Sequence, residues 1–276
     1  MEYESQYMIN LANILGNGVR EKNERTGIET LRLPSSIIIV NLEEEFPILQ
    51  SRYINWKVAA KEMFWIFQKN SNNIKDLGSK IWNKWAGPDG SIGKTYGYQV
   101  GLPVYSHLGS YKNQVDYILK TLEKDPSSRQ AVLDMWNPHD LVEMNLPPCV
   151  YSSVWSIIDG KLNCMVVQRS ADYPVGVPFD TNQYAILTHL FARHLHIKPG
   201  LLTHVRADSH IYVNQIEGVE KLLETYFYWS QDTVKFNNSC LKFKDNAPTN
   251  FWEITLDDIF IDNYTSFDVI KFEVAK

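Results

Sequence analysis

The chain has 276 residues, 44% hydrophobic and 13% aromatic, enough apolar mass for a sizeable core in one domain spanning residues 1–276. A formal net charge of −5 argues against a broad basic face for nucleic acid, so any phosphate recognition has to be local. Three cysteines, Cys149, Cys164 and Cys240, have no paired spacing, which argues against a disulfide framework or a zinc site and leaves no expected metal.

The amino terminus carries Glu2 and Glu4 where a secretory leader would be basic, and no long apolar run follows. A cytoplasmic protein without a membrane partner is expected. Tyr7-Met8-Ile9, Leu11-Ala12 and Ile14-Leu15 recur at helical spacing and stop at Gly16-Asn17-Gly18. A polar loop containing Arg25-Thr26-Gly27 leads to two runs that read as strands, Thr30–Leu33 and Ile37–Val40. Tyr53–Gln68 is an amphipathic helix with Glu62 one step from its apolar side. From the residues alone, a helix-edge partner such as Lys61 or Arg52 explains that glutamate. Trp82 and Trp85 precede the turn-rich Gly87-Pro88-Asp89-Gly90.

Gln114–Leu122 is a short helix, Gln130–Trp136 a strand, and Arg129 stands at that strand's start. Pro147-Pro148 then stiffens the backbone before Cys149. Across a tight turn at Asp159-Gly160, a strand returns to Gln168-Arg169-Ser170, whose guanidinium and hydroxyl suit a phosphate and would keep a nearby thiol anionic. Taken singly, Cys149 is packing, because lone cysteines are usually buried and inert. Thr181–His196 reads as a largely apolar helix buried against a sheet, and its histidines lack metal spacing. Leu201–Ala207 is a strand running into Asp208-Ser209-His210-Ile211-Tyr212. Two further strands are predicted at Trp252–Leu256 and Val269–Val274.

Arg25-Thr26-Gly27, Glu62, Trp82, Trp85, Tyr96-Gly97, Ser128-Arg129, Pro148-Cys149, Gln168-Arg169-Ser170-Ala171-Asp172, Gly176, Pro178-Phe179 and Asp208–Tyr212 together resemble the thymidylate synthase family, including its pyrimidine nucleotide hydroxymethylases. The resemblance implies an α+β fold, a mixed twisted sheet on a buried central helix, and a homodimer formed through the sheet. It implies a pyrimidine nucleoside monophosphate as substrate and 5,10-methylenetetrahydrofolate as cofactor. By resemblance Cys149 is the nucleophile that adds at C6 of the pyrimidine. Glu62, Tyr96 and Asp172 complete the catalytic group. Arg25, Gln168, Arg169, Ser170, His210 and Tyr212 hold the nucleotide, with Arg129 given to the partner's site. Trp82, Trp85, Asp172, Gly176 and Phe179 form the folate wall.

Asp180 stands where uracil-specific synthases carry an asparagine. An amide accepts from N3–H and donates to O4 of uracil, whereas a carboxylate only accepts and so fits the 4-amino group of cytosine. Val150 after the nucleophile and the terminus Glu273–Lys276 also depart from the synthase pattern, as does Gln130 in place of a second arginine. The expected activity is cytidylate (CMP or dCMP) 5-hydroxymethylation with water as the final nucleophile. The alternatives are a methyl-transferring synthase acting on dUMP or dCMP and a silent nucleotide- or RNA-binding homologue. Retention of Cys149, Arg169, Ser170 and Asp172 weighs against the silent homologue.

Overall fold

The structure, a computed structural model, describes residues 2–231, 238–267 and 269–275. Helix α1 (Tyr3–Asn17) buries Tyr3, Tyr7, Leu11 and Ile14 along one stripe. It stops at Gly18, where a Cβ would stand 2.4 Å from the Ile14 carbonyl oxygen. Strands β1 (Val19–Lys22) and β2 (Glu29–Asn41) follow, joined by the loop that carries Arg25. The two runs expected as separate strands are one. Pro34 falls past the end of β1, and pairing with the next strand resumes at Ser35.

Helix α2 (Trp56–Met63) continues as a π-helical turn through Phe64–Gln68, so the amphipathic segment begins three residues later than its periodicity predicts. Short elements follow: α3 (Gly97–Gly101), the hairpin β3 (Val104–Ser106) and β4 (Gly109–Tyr111), and α4 (Gln114–Lys124). The Asn113 side chain caps α4 by accepting from the Asp116 N–H at 2.8 Å. Strand β5 (Val132–Asp134) is shorter than expected. The hairpin of β6 (Val150–Ile158) and β7 (Lys161–Gln168) turns through Asp159 and Gly160 as predicted, both at positive φ (52° and 68°).

Next come β8 (Ala171–Asp172), α5 (Gly176–His194), β9 (Lys198–Tyr212), α6 (Ile216–Gln231), β10 (Cys240–Phe243) and β11 (Ile259–Asp262). The main sheet runs β1-β2-β9-β7-β6-β5, with β8 added beside β9. Strands β7 and β8 lie parallel to β9 and the other pairs are antiparallel, giving the expected mixed sheet. Helix α5 packs against one face and is buried along most of its length. It starts at Gly176 and not at Thr181, because Pro178 is tolerated in a first turn where N–H groups have no helical partner. Phe179 and Asp180 therefore project from a helix start instead of a loop. On the opposite sheet face Ile37, Ile39, Val154, Met165 and Leu201 are exposed.

The two strands predicted near the carboxyl terminus are absent. Residues 251–253 form a turn, Leu256–Asp258 a 3-10 turn, and 269–275 have no regular structure. Their alternation records side chains taken one at a time into the body of the protein. Gly218 makes room for the Phe272 ring, which would lie 2.6 Å from a Cβ there. Gln215 donates to the Glu273 carbonyl and Asn214 to the Glu273 carboxylate, each at 3.0 Å. Among the described residues no helix is long and apolar enough to cross a membrane, and no group of three His, Cys, Asp or Glu could hold a metal.

Candidate active site

A cavity of about 490 Å³ opens where β7, β8 and β9 end beside the start of α5. Cys149 immediately precedes β6, and its carbonyl accepts from the Arg169 backbone N–H at 2.9 Å. The Arg169 side chain does not reach into the cavity wall. Its Nε and Nη2 donate to the carbonyls of Pro148 (2.9 Å) and Pro147 (2.8 Å), and its guanidinium lies 5.4 Å from the Trp136 ring centroid. The proline corner is thus tied from the side as well as stiffened along the chain. Tyr96 completes the mount by accepting the Cys149 backbone N–H.

Cys149 itself is half-buried and borders the cavity. Burial pushes its thiol up, and the neighbouring Asp180 charge adds to that. Arg169, Arg25 and the Tyr96 hydroxyl pull the other way without overcoming it. The anionic resting thiol expected from the sequence is therefore not favoured in the ligand-free site, since desolvation outweighs the arginines.

Glu62 pairs with neither Lys61 nor Arg52. Its carboxylate accepts from the Trp82 indole N–H and, at 2.6 Å, from the Gln183 amide. Burial raises its pKa to about 7, with Asp180 adding to the rise, so it can hold or release a proton near neutrality. Trp82 also meets Trp85 and Tyr96 edge to face, with centroids 5.4 and 5.3 Å apart. These rings give the cavity an aromatic wall, which Ile81, Phe179, Val274 and Ala275 extend.

Asp172 accepts from the Val175 backbone N–H (3.3 Å) and from the Gln215 amide (3.2 Å to both oxygens); burial raises its pKa to about 6. Asp180 also lines the cavity, held at Oδ2 by the Gln168 amide nitrogen at 2.8 Å. Burial lifts it to about 7, against the Gln168 hydrogen bond and the Arg206 charge. His210 Nδ1 lies 2.9 Å from the Asp208 carbonyl, so this nitrogen carries the proton. Asp208 is anchored in turn by Arg32 at 2.8 Å.

Arg25, Ser170, Gly176 and Tyr212 join the groups above on the cavity wall, so nearly all the residues singled out in the sequence converge. Arg129 does not: it is exposed, away from the cavity of its own chain. Sequence reading missed Gln183 and Gln215. Gln183 lies one helical turn beyond Phe179 and Asp180, a spacing that would have placed it on the same face. Gln215 carried no comparable signal for the site: its amide oxygen caps the nearby Tyr212 N–H, while its amide nitrogen reaches Asp172 of β8 and the Glu273 carbonyl of the carboxyl-terminal segment.

A half-buried cysteine, three carboxyls raised toward neutrality and an aromatic wall meet at one cavity in this mixed sheet around a buried helix, an arrangement that suits a one-carbon transferase. The chain belongs to the thymidylate synthase family: the family model described as "Thymidylate synthase" matches residues 5–276. A thymidylate synthase of Clostridium beijerinckii is 39% identical over 276 residues, covering 99% of this chain and 98% of its own. That of Bacillus subtilis subsp. natto is 33% identical over 290 residues, covering 99% of both. The solved thermostable thymidylate synthase A from Bacillus subtilis superposes with a TM-score of 0.89 at 32% identity over the whole of both chains. These relatives carry the synthase name, and nothing in the matches singles out the hydroxymethylase branch.

Proposed function

We propose that this enzyme transfers a one-carbon unit to C5 of a cytosine nucleoside monophosphate and releases a 5-methyl product. The observation that carries the base assignment is Asp180. Its Oδ2 is occupied by Gln168, which leaves Oδ1 as an acceptor toward the cavity that matches a 4-amino group and not a 4-carbonyl. With a pKa near 7 it can also share a proton with the ring N3.

Cys149 adds through sulfur to C6, which makes C5 an enamine carbon able to attack an electrophile. Glu62, poised near neutrality, gives and takes the protons this requires, and Tyr96 keeps the nucleophile's backbone fixed. Bound 5,10-methylenetetrahydrofolate would supply both the one-carbon unit and the hydride. The aromatic side chains of Trp82, Trp85 and Phe179 suit its ring, and the Asp172 carboxylate suits a ring N–H. Val274 and Ala275 border the same cavity, so the carboxyl-terminal segment helps keep water from the reacting carbon. That apolar closure, together with the names of the relatives, favours hydride over water and hence methyl over hydroxymethyl. The hydroxymethyl product is the second reading. It rests on Val150 behind the nucleophile.

The exposed apolar residues of β2, β6, β7 and β9 fit a homodimer built face to face through the sheet, with Arg129 reaching the partner's phosphate. The deciding measurement is product mass after incubation with methylenetetrahydrofolate and each of CMP, dCMP, UMP and dUMP. A methylated cytidylate supports the reading. A hydroxymethylated one moves it to the second, and turnover of dUMP alone removes the cytosine assignment.

A further inference from the structure

Two residues of β9 that play no part in the chemistry above lie directly behind Asp180. His204 and Arg206 are two positions apart on the core face of the strand, both fully buried, opposite Val166 and Gln168 of β7. We propose that His204 is a positioning residue for base recognition: its Nε2–H holds the Gln168 amide so that N–H, and not C=O, faces Asp180. The proposal rests on Asp180 being the base-reader.

The partners of Gln168 fix its orientation. Its Nε2 lies 3.0 Å from the Ser170 carbonyl and 2.8 Å from Asp180 Oδ2, both acceptors. Its Oε1 lies 2.8 Å from His204 Nε2, which must therefore carry a proton. Turning the amide over would set its oxygen against two others and its NH₂ against the imidazole N–H. Burial and the Arg206 charge both hold the His204 pKa well below the usual histidine range, so the ring keeps one proton, on Nε2. The other nitrogen, Nδ1, faces the Thr181 hydroxyl at 3.1 Å, and that hydroxyl is seated 2.7 Å from the Val177 carbonyl.

Thr181 follows Asp180 in α5, so Asp180, Gln168, His204 and Thr181 form a closed ring joining α5, β7 and β9. Arg206 reinforces it from below. Its Nε donates to Ser36 Oγ at 3.0 Å, its two Nη atoms have no hydrogen-bond partner among the described residues, and its charge favours the ionised form of Asp180. Without the histidine donor the amide loses one of the three contacts that hold it, and its oxygen can turn toward Asp180 once that carboxyl is protonated. A carbonyl oxygen against Oδ2 then favours protonated Asp180, whose remaining oxygen accepts equally from cytosine 4-NH₂ and uracil N3–H. Discrimination is lost while the nucleophile stays untouched.

His204→Phe keeps the ring and removes the donor; His204→Gln retains an N–H that can reach Gln168 Oε1. In competition between CMP and UMP, and between dCMP and dUMP, the cytosine-to-uracil ratio of kcat/KM should fall about tenfold for His204→Phe and recover for His204→Gln. An unchanged ratio in a His204→Phe protein that melts cooperatively overturns the proposal, as does an equal fall in both variants. Should His204→Phe not fold, His204→Asn, too short to reach Gln168, takes its place with the same expected fall. Asp180→Asn is measured in parallel. If it shifts the ratio and the His204 variants do not, only this proposal fails. If it leaves the ratio unmoved, the base-reading assignment fails first and takes this one with it.

Discussion

The Cys149 backbone N–H donates to the Tyr96 hydroxyl at 2.9 Å across 53 residues of sequence, and Tyr96 sits at a φ of +41°, unusual for a bulky residue. Such a conformation costs about 1–3 kcal/mol and persists where the surroundings hold it, here with the Tyr96 ring edge to face with Trp82. Tyr96→Phe keeps the ring and removes only the acceptor. The loss of one hydrogen bond to the nucleophile's mount should lower kcat roughly tenfold. The nucleotide KM should stay within a factor of about two, because the lost contact is to the protein and not to the nucleotide. Steady-state kinetics decide it, and an effect confined to KM would contradict the role.

Cys149→Ser should abolish turnover while nucleotide still binds, because the alkoxide is scarcely populated near neutral pH where a thiolate can form. Nucleotide binding can be followed by the fluorescence of Trp82 and Trp85 on the cavity wall. Mixing Cys149→Ser with Arg129→Ala extends the test to the proposed dimer. Each parent should be poorly active, and heterodimers should regain one intact site. No recovery on mixing, with subunit exchange shown independently, would rule out Arg129 acting across the interface.

Among the described residues burial raises five carboxyls: Glu4, together with Glu45, Glu62 and Asp180, which reach about 7, and Asp172, which reaches about 6. The folded protein therefore holds protons that the unfolded chain releases near pH 4, and the stability these groups contribute is lost as pH rises through their folded values. The ligand-free enzyme should melt a few degrees higher at about pH 6.5 than at about pH 8. Acidification toward about pH 5 should bring a further gain, reduced because His189, held near 4, and His204 resist the protons that an unfolded chain takes up. Glu45 lies outside the active site, accepting the Tyr3 N–H at 3.0 Å. Glu45→Gln should flatten part of the slope without changing the pH profile of turnover; a melting temperature that rises toward pH 8 would contradict the sign.

What the sequence made legible was mostly local. Helical spacing located α1, α2 and α4, and the Asp159-Gly160 pair marked the hairpin. The long run of motif residues pointed to the cavity, where nearly all of them meet. Three things depended on tertiary partners and could not be read. Thr30–Leu33 and Ile37–Val40 read as two strands, and only β9 beside them carries one ladder past Pro34. The alternating terminal residues looked like strands but have no neighbour to pair with. The resting state of Cys149 was misjudged because adjacent arginines are visible in sequence and desolvation is not. His204 and Arg206 gave no signal at all, since a buried ring of hydrogen bonds across two strands and a helix has no sequence spacing of its own.

Asp180 makes the choice of base depend on pH. Above about 7 it is a carboxylate that only accepts, so cytosine's 4-NH₂ is matched and uracil's O4 is opposed. Below that value the Oδ1 acid can donate, to O4 of uracil or to N3 of cytosine, so uracil is no longer opposed. The ratio of kcat/KM for cytidylate over uridylate should therefore climb with pH through about 7, by roughly tenfold for one hydrogen bond exchanged. Glu62 on α2 titrates in the same window and the Cys149 thiol above it, while Asp172 on β8 and Arg206 on β9 also act on Asp180. A competition experiment cancels what Glu62 and Cys149 do to both substrates alike, leaving the base-reader exposed. An amide does not titrate, so Asp180→Asn should give a ratio that is flat with pH and inverted toward uridylate, with the one-carbon product unchanged in kind. A wild-type ratio equally flat with pH, or an Asp180→Asn protein that still prefers cytidylate, would return the enzyme to the uridylate substrate of an ordinary synthase.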